Sequence, residues 1–118
     1  MKGGMLMIEL HSKVELFVPG TVRVSQIADT GEYVEKVATS FCRWFGGATV
    51  TSSDGYYLST TGELVSERTS IVWSYCTTEA LEEYAPSVIE LAEEVCHELQ
   101  QECVAVVING AMCLVESE

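Results

Sequence analysis

Two histidines, five cysteines and a long run of glutamates are the groups in this 118-residue sequence with types suited to chemistry. Glu94-x-x-His97 has the i, i+3 spacing used by carboxylate-bridged di-iron bundles, which also need a second such motif and further glutamates on facing helices. The other histidine, His11, falls in a strand pattern, so no metal is expected. A Cys–His nucleophile would need the fold to join His11 or His97 to one of Cys42, Cys76, Cys96, Cys103 and Cys113. Those cysteines lie mostly in apolar patterns, where a free thiol packs as a small hydrophobe, and His97 lies on a polar helix face. No Walker or GxGxxG loop occurs, and Gly46-Gly47 reads as a helix stop. These observations point to a non-catalytic protein that carries no cofactor.

The glutamates are the stronger signal. Residues 77–102, TTEALEEYAPSVIELAEEVCHELQQE, hold eight glutamates and no lysine or arginine. At 100° per residue, Leu81, Tyr84, Ala85, Val88, Ala92, Val95 and Leu99 form an apolar stripe. Glu79, Glu82, Glu83, Glu90, Glu93 and Glu94 gather opposite, with Glu98 and Glu102 following. Like-charge neighbours at 79/82, 79/83, 90/93, 90/94, 94/98 and 98/102 oppose the helix by roughly 1–3 kcal/mol in total. The ordinary reading is a solvated face of an acidic protein. The sharper one is a docking surface formed by Glu79, Glu82, Glu83, Glu90, Glu93, Glu94 and Glu98 for a basic protein, by mimicry of a nucleic-acid backbone. Pro86 should kink or restart the helix, with Ser87-x-x-Glu90 resembling a capping box. A second candidate site joins Trp44, Tyr56, Tyr57 and Trp73 with Arg43 and Arg68 as the lining of a pocket for a planar or nucleotide-like ligand. Against it, tryptophans are more often core, and Arg68 beside Glu67 balances charge.

The elements that must position these groups follow from periodicity. IELHSKVELFVPG alternates, with Ile8, Leu10, Val14, Leu16 and Val18 on one strand face, and closes at Pro19-Gly20. TVRVSQIADTG reads as an irregular connection. EYVEKVATSFCRWFGG carries Val34, Val37, Ala38, Phe41 and Phe45 at helical spacing. ATVTSS, GYYLS and ELVSERTSIVWSYC are β-rich runs separated by turn residues at Ser53-Asp54-Gly55 and Thr60-Thr61-Gly62. Thr77-Thr78 offers an N-cap to the acidic helix. In CVAVVINGAMCLVE two apolar runs flank Asn109-Gly110, a strong hairpin signal. The order predicts one α+β domain, a ferredoxin-like β-α-β-β-α-β core with two helices on one face of an antiparallel sheet and a C-terminal β-hairpin. The last hairpin is apolar on both faces, and two helices cover only one, so a homodimer through the sheet is expected.

The net charge is −12, from 18 acidic and 6 basic residues, and none of the basic residues follows Arg68. Such a charge repels nucleic acid and anionic membranes, so direct binding to either is excluded as an expectation. The unpatterned, odd set of cysteines and the lack of a signal-peptide core or long apolar run point to the cytoplasm. MKGGMLM begins with a Lys-Gly-Gly whose codons can read as a ribosome-binding sequence, which makes residues 1–6 an expected over-extension ahead of a start at Met7.

FGGATVTSSDGYYLSTTGELVSERTSIVWSY, residues 45–75, followed by an acidic helix and an apolar hairpin, resembles a group of small uncharacterised proteins from bacteria, plasmids and phages. The shared features are Phe45-Gly46-Gly47-Ala48-Thr49, Gly55, Gly62-Glu63-Leu64 and Glu67. Where that group often has a tryptophan after the middle glycine, this chain has Tyr56-Tyr57. The resemblance covers roughly residues 14–115. It implies a ferredoxin-like fold and a bacterial or mobile-element origin, and carries no catalytic residue across. Together these readings predict an acidic binding protein inhibiting a basic nucleic-acid-binding host protein, in the manner of an anti-CRISPR or other anti-defence factor. The alternative is a homodimer that binds a small or nucleotide-like ligand.

Overall fold

Strand β1 (Ser12–Pro19) is the centre of the molecule, because its alternating sequence buries Ser12, Val14, Leu16 and Val18 completely on one face. The computed structural model describes residues 6–24 and 26–117. The expected over-extension at residues 1–6 lies, apart from Leu6, outside the described residues. The remaining elements are β2 (Thr21–Val22), β3 (Gln26–Ile27), α1 (Gly31–Phe45), β4 (Thr49–Leu58), β5 (Leu64–Cys76), α2 (Thr78–Glu98), β6 (Val104–Ile108) and β7 (Ala111–Val115). The five long strands form one antiparallel sheet in the order β4-β5-β1-β6-β7, while β2 and β3 make a separate two-stranded ribbon. This is the expected ferredoxin-like α+β arrangement with an added C-terminal strand.

Both helices lie against the face that carries Val14, Leu16, Val18, Val72, Val104 and Val106. Helix α1 contributes Val37 and Phe41, and stops where Gly46 takes φ 93° and its N–H donates to the Cys42 carbonyl. Helix α2 starts at Thr77, whose hydroxyl accepts from the Ala80 N–H, and contributes Leu81, Val88, Leu91, Ala92, Val95 and Cys96. It runs unbroken through Pro86, so the expected restart at Ser87 does not occur. Asn109 (φ 50°) and Gly110 (φ 84°) make the tight turn of the last hairpin, and the Asn109 side chain accepts from the Lys13 N–H.

Three local expectations change. The strand begins at Ser12, which leaves Ile8 and Leu10 exposed ahead of it. The stretch after Gly20 forms the β2–β3 ribbon instead of an irregular connection. Ser53-Asp54-Gly55 does not turn: β4 passes straight through it, because each residue there pairs with β5 and the Asp54 carboxylate meets the Arg68 guanidinium across the strands at 3.1 Å. Tertiary pairing overrides local turn chemistry here. The true turn lies at Thr60-Thr61-Gly62, where Gly62 has φ 85°.

Candidate functional site

Opposite the helices the sheet has a second face, whose residues are fixed by register. Lys13, Glu15, Phe17 and Pro19 of β1 stand beside Tyr75, Trp73, Ile71 and Thr69 of β5, and Val107 of β6 stands beside Glu15. Ala105 and Val107 pair with Leu114 and Met112 of β7. Among the described residues no helix covers this face, and Tyr75, Met112 and Leu114 are exposed on it.

At the end of that face where β1 stops, β4 and β5 continue as a two-stranded arm. A cavity of about 520 Å³ lies in the angle between arm and sheet. Phe17, Pro19, Ala105 and Leu114 supply an apolar floor, and Glu67 and Thr69 of β5 line it from the base of the arm. Gly55, Tyr56 and Tyr57 of β4 bound one side; Val24, Gln101, Glu102 and Cys103 bound the other. Among the described residues, then, two carboxylates line the cavity and no lysine or arginine does.

Three contacts hold the Glu67 end of this cavity. The Gly20 N–H donates to the Arg68 carbonyl at 2.9 Å, which fixes the base of the arm to the end of β1. The buried Thr21 hydroxyl donates to Glu67 Oε1 at 3.1 Å. Gln101, just past α2, donates through Nε2 to the Thr21 carbonyl at 3.0 Å and lies 3.3 Å from the Thr21 hydroxyl oxygen. The β2–β3 ribbon that carries Thr21 is itself tied to the end of α2, since the Arg23 N–H donates to the Leu99 carbonyl at 2.9 Å. Its turn uses positive φ at Arg23 (50°) and Val24 (71°); a β-branched residue rarely takes that conformation, and Val24 faces the cavity. Burial first, then the neighbouring Cys96 and the Glu102 and Glu116 carboxylates, push the Cys103 thiol above its ordinary range, so it stays protonated at neutral pH.

The residues singled out from sequence are dispersed. Tyr56 and Tyr57 line the cavity. Trp73 is on the same sheet face but toward the other end, where its Nε1 donates to the Thr51 hydroxyl at 3.0 Å and the Lys13 ammonium sits 4.7 Å from its ring centroid. Trp44 is in the helix layer, stacked on Tyr84 with centroids 5.9 Å apart. Arg43 is exposed on α1, and Arg68 is engaged with Asp54 on the helix side of the arm. Of the acidic set, Glu79, Glu82, Glu83, Glu90, Glu94 and Glu98 are exposed and Glu93 is half-buried, all on α2 and away from the cavity. Lys36 of α1 hydrogen-bonds Glu94 and approaches Glu98 to 3.7 Å, so part of that charge is balanced from the neighbouring helix. Among the described residues no cluster of three or more potential ligands has metal-site geometry. No helix there is long and apolar enough to cross a membrane.

Thr21, Glu67, Gln101 and Glu102 were not singled out as a site from sequence. Glu67 enters the sequence reading as an acid among the shared features of the resemblance, and Glu102 as the end of the acidic run.

No protein-family model and no curated protein matches the chain. Solved structures do. A phage SAM lyase in complex with S-methyl-5'-thioadenosine superposes with a TM-score of 0.66 at 19% identity, over 97% of this chain and 98% of that one. A phage SAM lyase in the apo state gives 0.64 at 22% identity over the same shares. CutA from Pyrococcus horikoshii gives 0.55 at 14% identity, over 85% of this chain and 83% of that one. At these identities the likeness is one of fold. It nonetheless corrects the expectation of a non-catalytic protein, because nearly the whole chain takes the fold of an enzyme. That expectation rested on the absence of a contiguous motif, whereas this cavity draws its polar groups from separate segments.

Proposed function

We propose that this protein is a lyase that breaks S-adenosylmethionine at its sulfonium and releases S-methyl-5'-thioadenosine, using the cavity at the base of the arm. The charge of that cavity carries the reading: among the described residues Glu67 and Glu102 line it and no cationic side chain does. S-adenosylmethionine brings a sulfonium and an ammonium against one carboxylate, so a wall of carboxylates and tyrosines attracts it and disfavours phosphorylated nucleotides. The volume lies within the range of small-ligand sites. The fold likeness to a phage SAM lyase bound to S-methyl-5'-thioadenosine supports the same substrate.

The chemistry needs little from the protein beyond placement. When the bond between sulfur and the γ carbon breaks, its electron pair goes to sulfur and cancels the sulfonium charge. The γ carbon takes its new bond from the substrate's own carboxylate, closing a five-membered lactone, so no water and no external base is consumed. Holding the aminobutyryl chain curled, with the carboxylate behind the γ carbon, is a positioning task. Glu67 does this by engaging the cationic end of the substrate. Once sulfur is neutral, the attraction of Glu67 and Glu102 for the nucleoside falls, which favours release. Mass spectrometry of the protein incubated with S-adenosylmethionine should show S-methyl-5'-thioadenosine and homoserine lactone, with Glu67→Gln at least tenfold slower. Folded wild-type protein that leaves the substrate intact would overturn this reading.

The reading includes a second copy of the chain against the open sheet face. Phe17, Ile71, Trp73, Tyr75, Met112 and Leu114 make that face apolar, which a solvated antiparallel sheet avoids. The cavity opens on the same face, so a second copy would also wall it. Sedimentation at micromolar concentration that finds only monomer removes this part of the proposal.

A further inference from the structure

The structure assigns Thr21 and Gln101 as positioning residues that hold Glu67 for the cationic end of the substrate, an inference that rests on the lyase reading above. The direction of each hydrogen bond follows from donor and acceptor inventories. Gln101 Nε2 lies 3.0 Å from the Thr21 carbonyl and 3.2 Å from the Leu99 carbonyl, and both can only accept. The amide nitrogen must therefore point at them, since a flipped amide would set oxygen against two oxygens. The same nitrogen lies 3.3 Å from the Thr21 hydroxyl oxygen, so that oxygen is an acceptor toward Gln101. Thr21 is 5% exposed, which leaves its hydroxyl hydrogen one place to go: Glu67 Oε1, 3.1 Å away.

This relay has a chemical consequence. Oε1 is occupied by a neutral donor from the protein's interior, and among the described residues Thr21 is the one side chain that hydrogen-bonds the carboxylate. The rotamer is fixed without neutralising the charge, and Oε2 is left to the ligand in the cavity. An arginine or lysine in the place of Thr21 would hold Glu67 equally well but cancel the field it presents. The threonine is thus what lets a tethered carboxylate remain an anion site.

The test compares a cationic and a neutral ligand on the same protein. Thr21→Val removes the hydrogen at nearly constant volume, and Thr21→Ser restores it. Initial-rate kinetics should show Thr21→Val binding S-adenosylmethionine about tenfold more weakly than wild type, read as a raised KM and as expected for loss of a hydrogen bond to a charged group, with S-methyl-5'-thioadenosine bound as before in calorimetry. Thr21→Ser should return the cationic ligand to within about twofold of wild type. If Thr21→Val binds S-adenosylmethionine as tightly as wild type, the assignment is overturned while the lyase reading stands. Equal loss of both ligands, unrescued by serine, also overturns it, because Thr21 then only supports the fold. Wild type that binds neither ligand overturns the lyase reading and this inference with it.

Discussion

Gly20 and Arg68 are in backbone contact: the Gly20 N–H donates to the Arg68 carbonyl at 2.9 Å, and a Cβ at Gly20 would stand 2.8 Å from that same oxygen. No alanine fits there unless the base of the arm shifts, since the atom it would meet is backbone and not a flexible side-chain tip. Gly20→Ala should therefore lower stability by about 1–3 kcal/mol, the cost of overpacking. Because Glu67 immediately precedes Arg68 in β5, the variant should also slow release of S-methyl-5'-thioadenosine at temperatures where it remains folded. Thermal unfolding and a product assay on the same preparation check both.

Lys36 makes the second prediction. Its hydrogen bond to Glu94 chiefly, with Coulombic help from Glu94 and Glu98, raises its pKa above the ordinary lysine value, against a smaller opposing effect of burial. A group whose folded pKa is raised adds stability that is fully present below the unfolded pKa and disappears as pH climbs through the folded one. The contribution of this pair should accordingly hold at neutral pH and be lost as pH rises beyond the ordinary lysine range, through the raised folded pKa. Lys36 is 42% exposed, so solvent screening limits the effect, and Lys36→Met should cost no more than about 1 kcal/mol at low salt and less at high salt. Unfolding curves at two pH values and two salt concentrations measure it.

Thiol accessibility offers a third check. Cys42 and Cys113 are exposed, Cys76 and Cys96 are buried, and Cys103 is half-buried at the cavity wall. Alkylation at neutral pH should label Cys42 and Cys113 first, with Cys103 slow because its thiol stays protonated. Saturating S-methyl-5'-thioadenosine should slow Cys103 further and leave Cys42 unchanged. Peptide mapping reads all three.

Charge reversal on α2 separates the cavity from the acidic face. Glu90→Lys with Glu93→Lys should leave release of S-methyl-5'-thioadenosine within about twofold of wild type, because these side chains lie on the helix layer and the cavity on the opposite sheet face. Docking of the acidic helix to a basic protein is a distinct proposal. It predicts a salt-sensitive partner in a pull-down with wild type that the double variant loses.

What was legible from sequence was what depends on neighbours in the chain. The Asn109-Gly110 hairpin and the Gly46 stop are local chemistry: each needs positive φ at a residue that tolerates it, and both are present. The stripes of α1 and α2 are equally plain, although Leu91 and Cys96 widen the buried face of α2 beyond the helical spacing of its seven-residue stripe. Ser53-Asp54-Gly55 misled because local turn preference is worth less than continuous pairing with β5. The cavity was illegible for a different reason. Thr21 and Glu67 are 46 positions apart, and Thr21 and Gln101 are 80 apart, so no spacing rule joins them. Tyr56 and Tyr57 were found because aromatics in an otherwise polar run are conspicuous, whereas a lone threonine before a loop is not.

The order of the sheet also sets a timetable. Strand β1 is among the first elements made, yet one of its two neighbours, β6, is among the last, and the cavity takes its floor from both and from Leu114. A chain still emerging from the ribosome can pair β1 with β5, but it has no complete cavity until the β6–β7 hairpin has docked. Any activity housed there therefore waits on the docking of residues 104–115, and a chain cut before them has none.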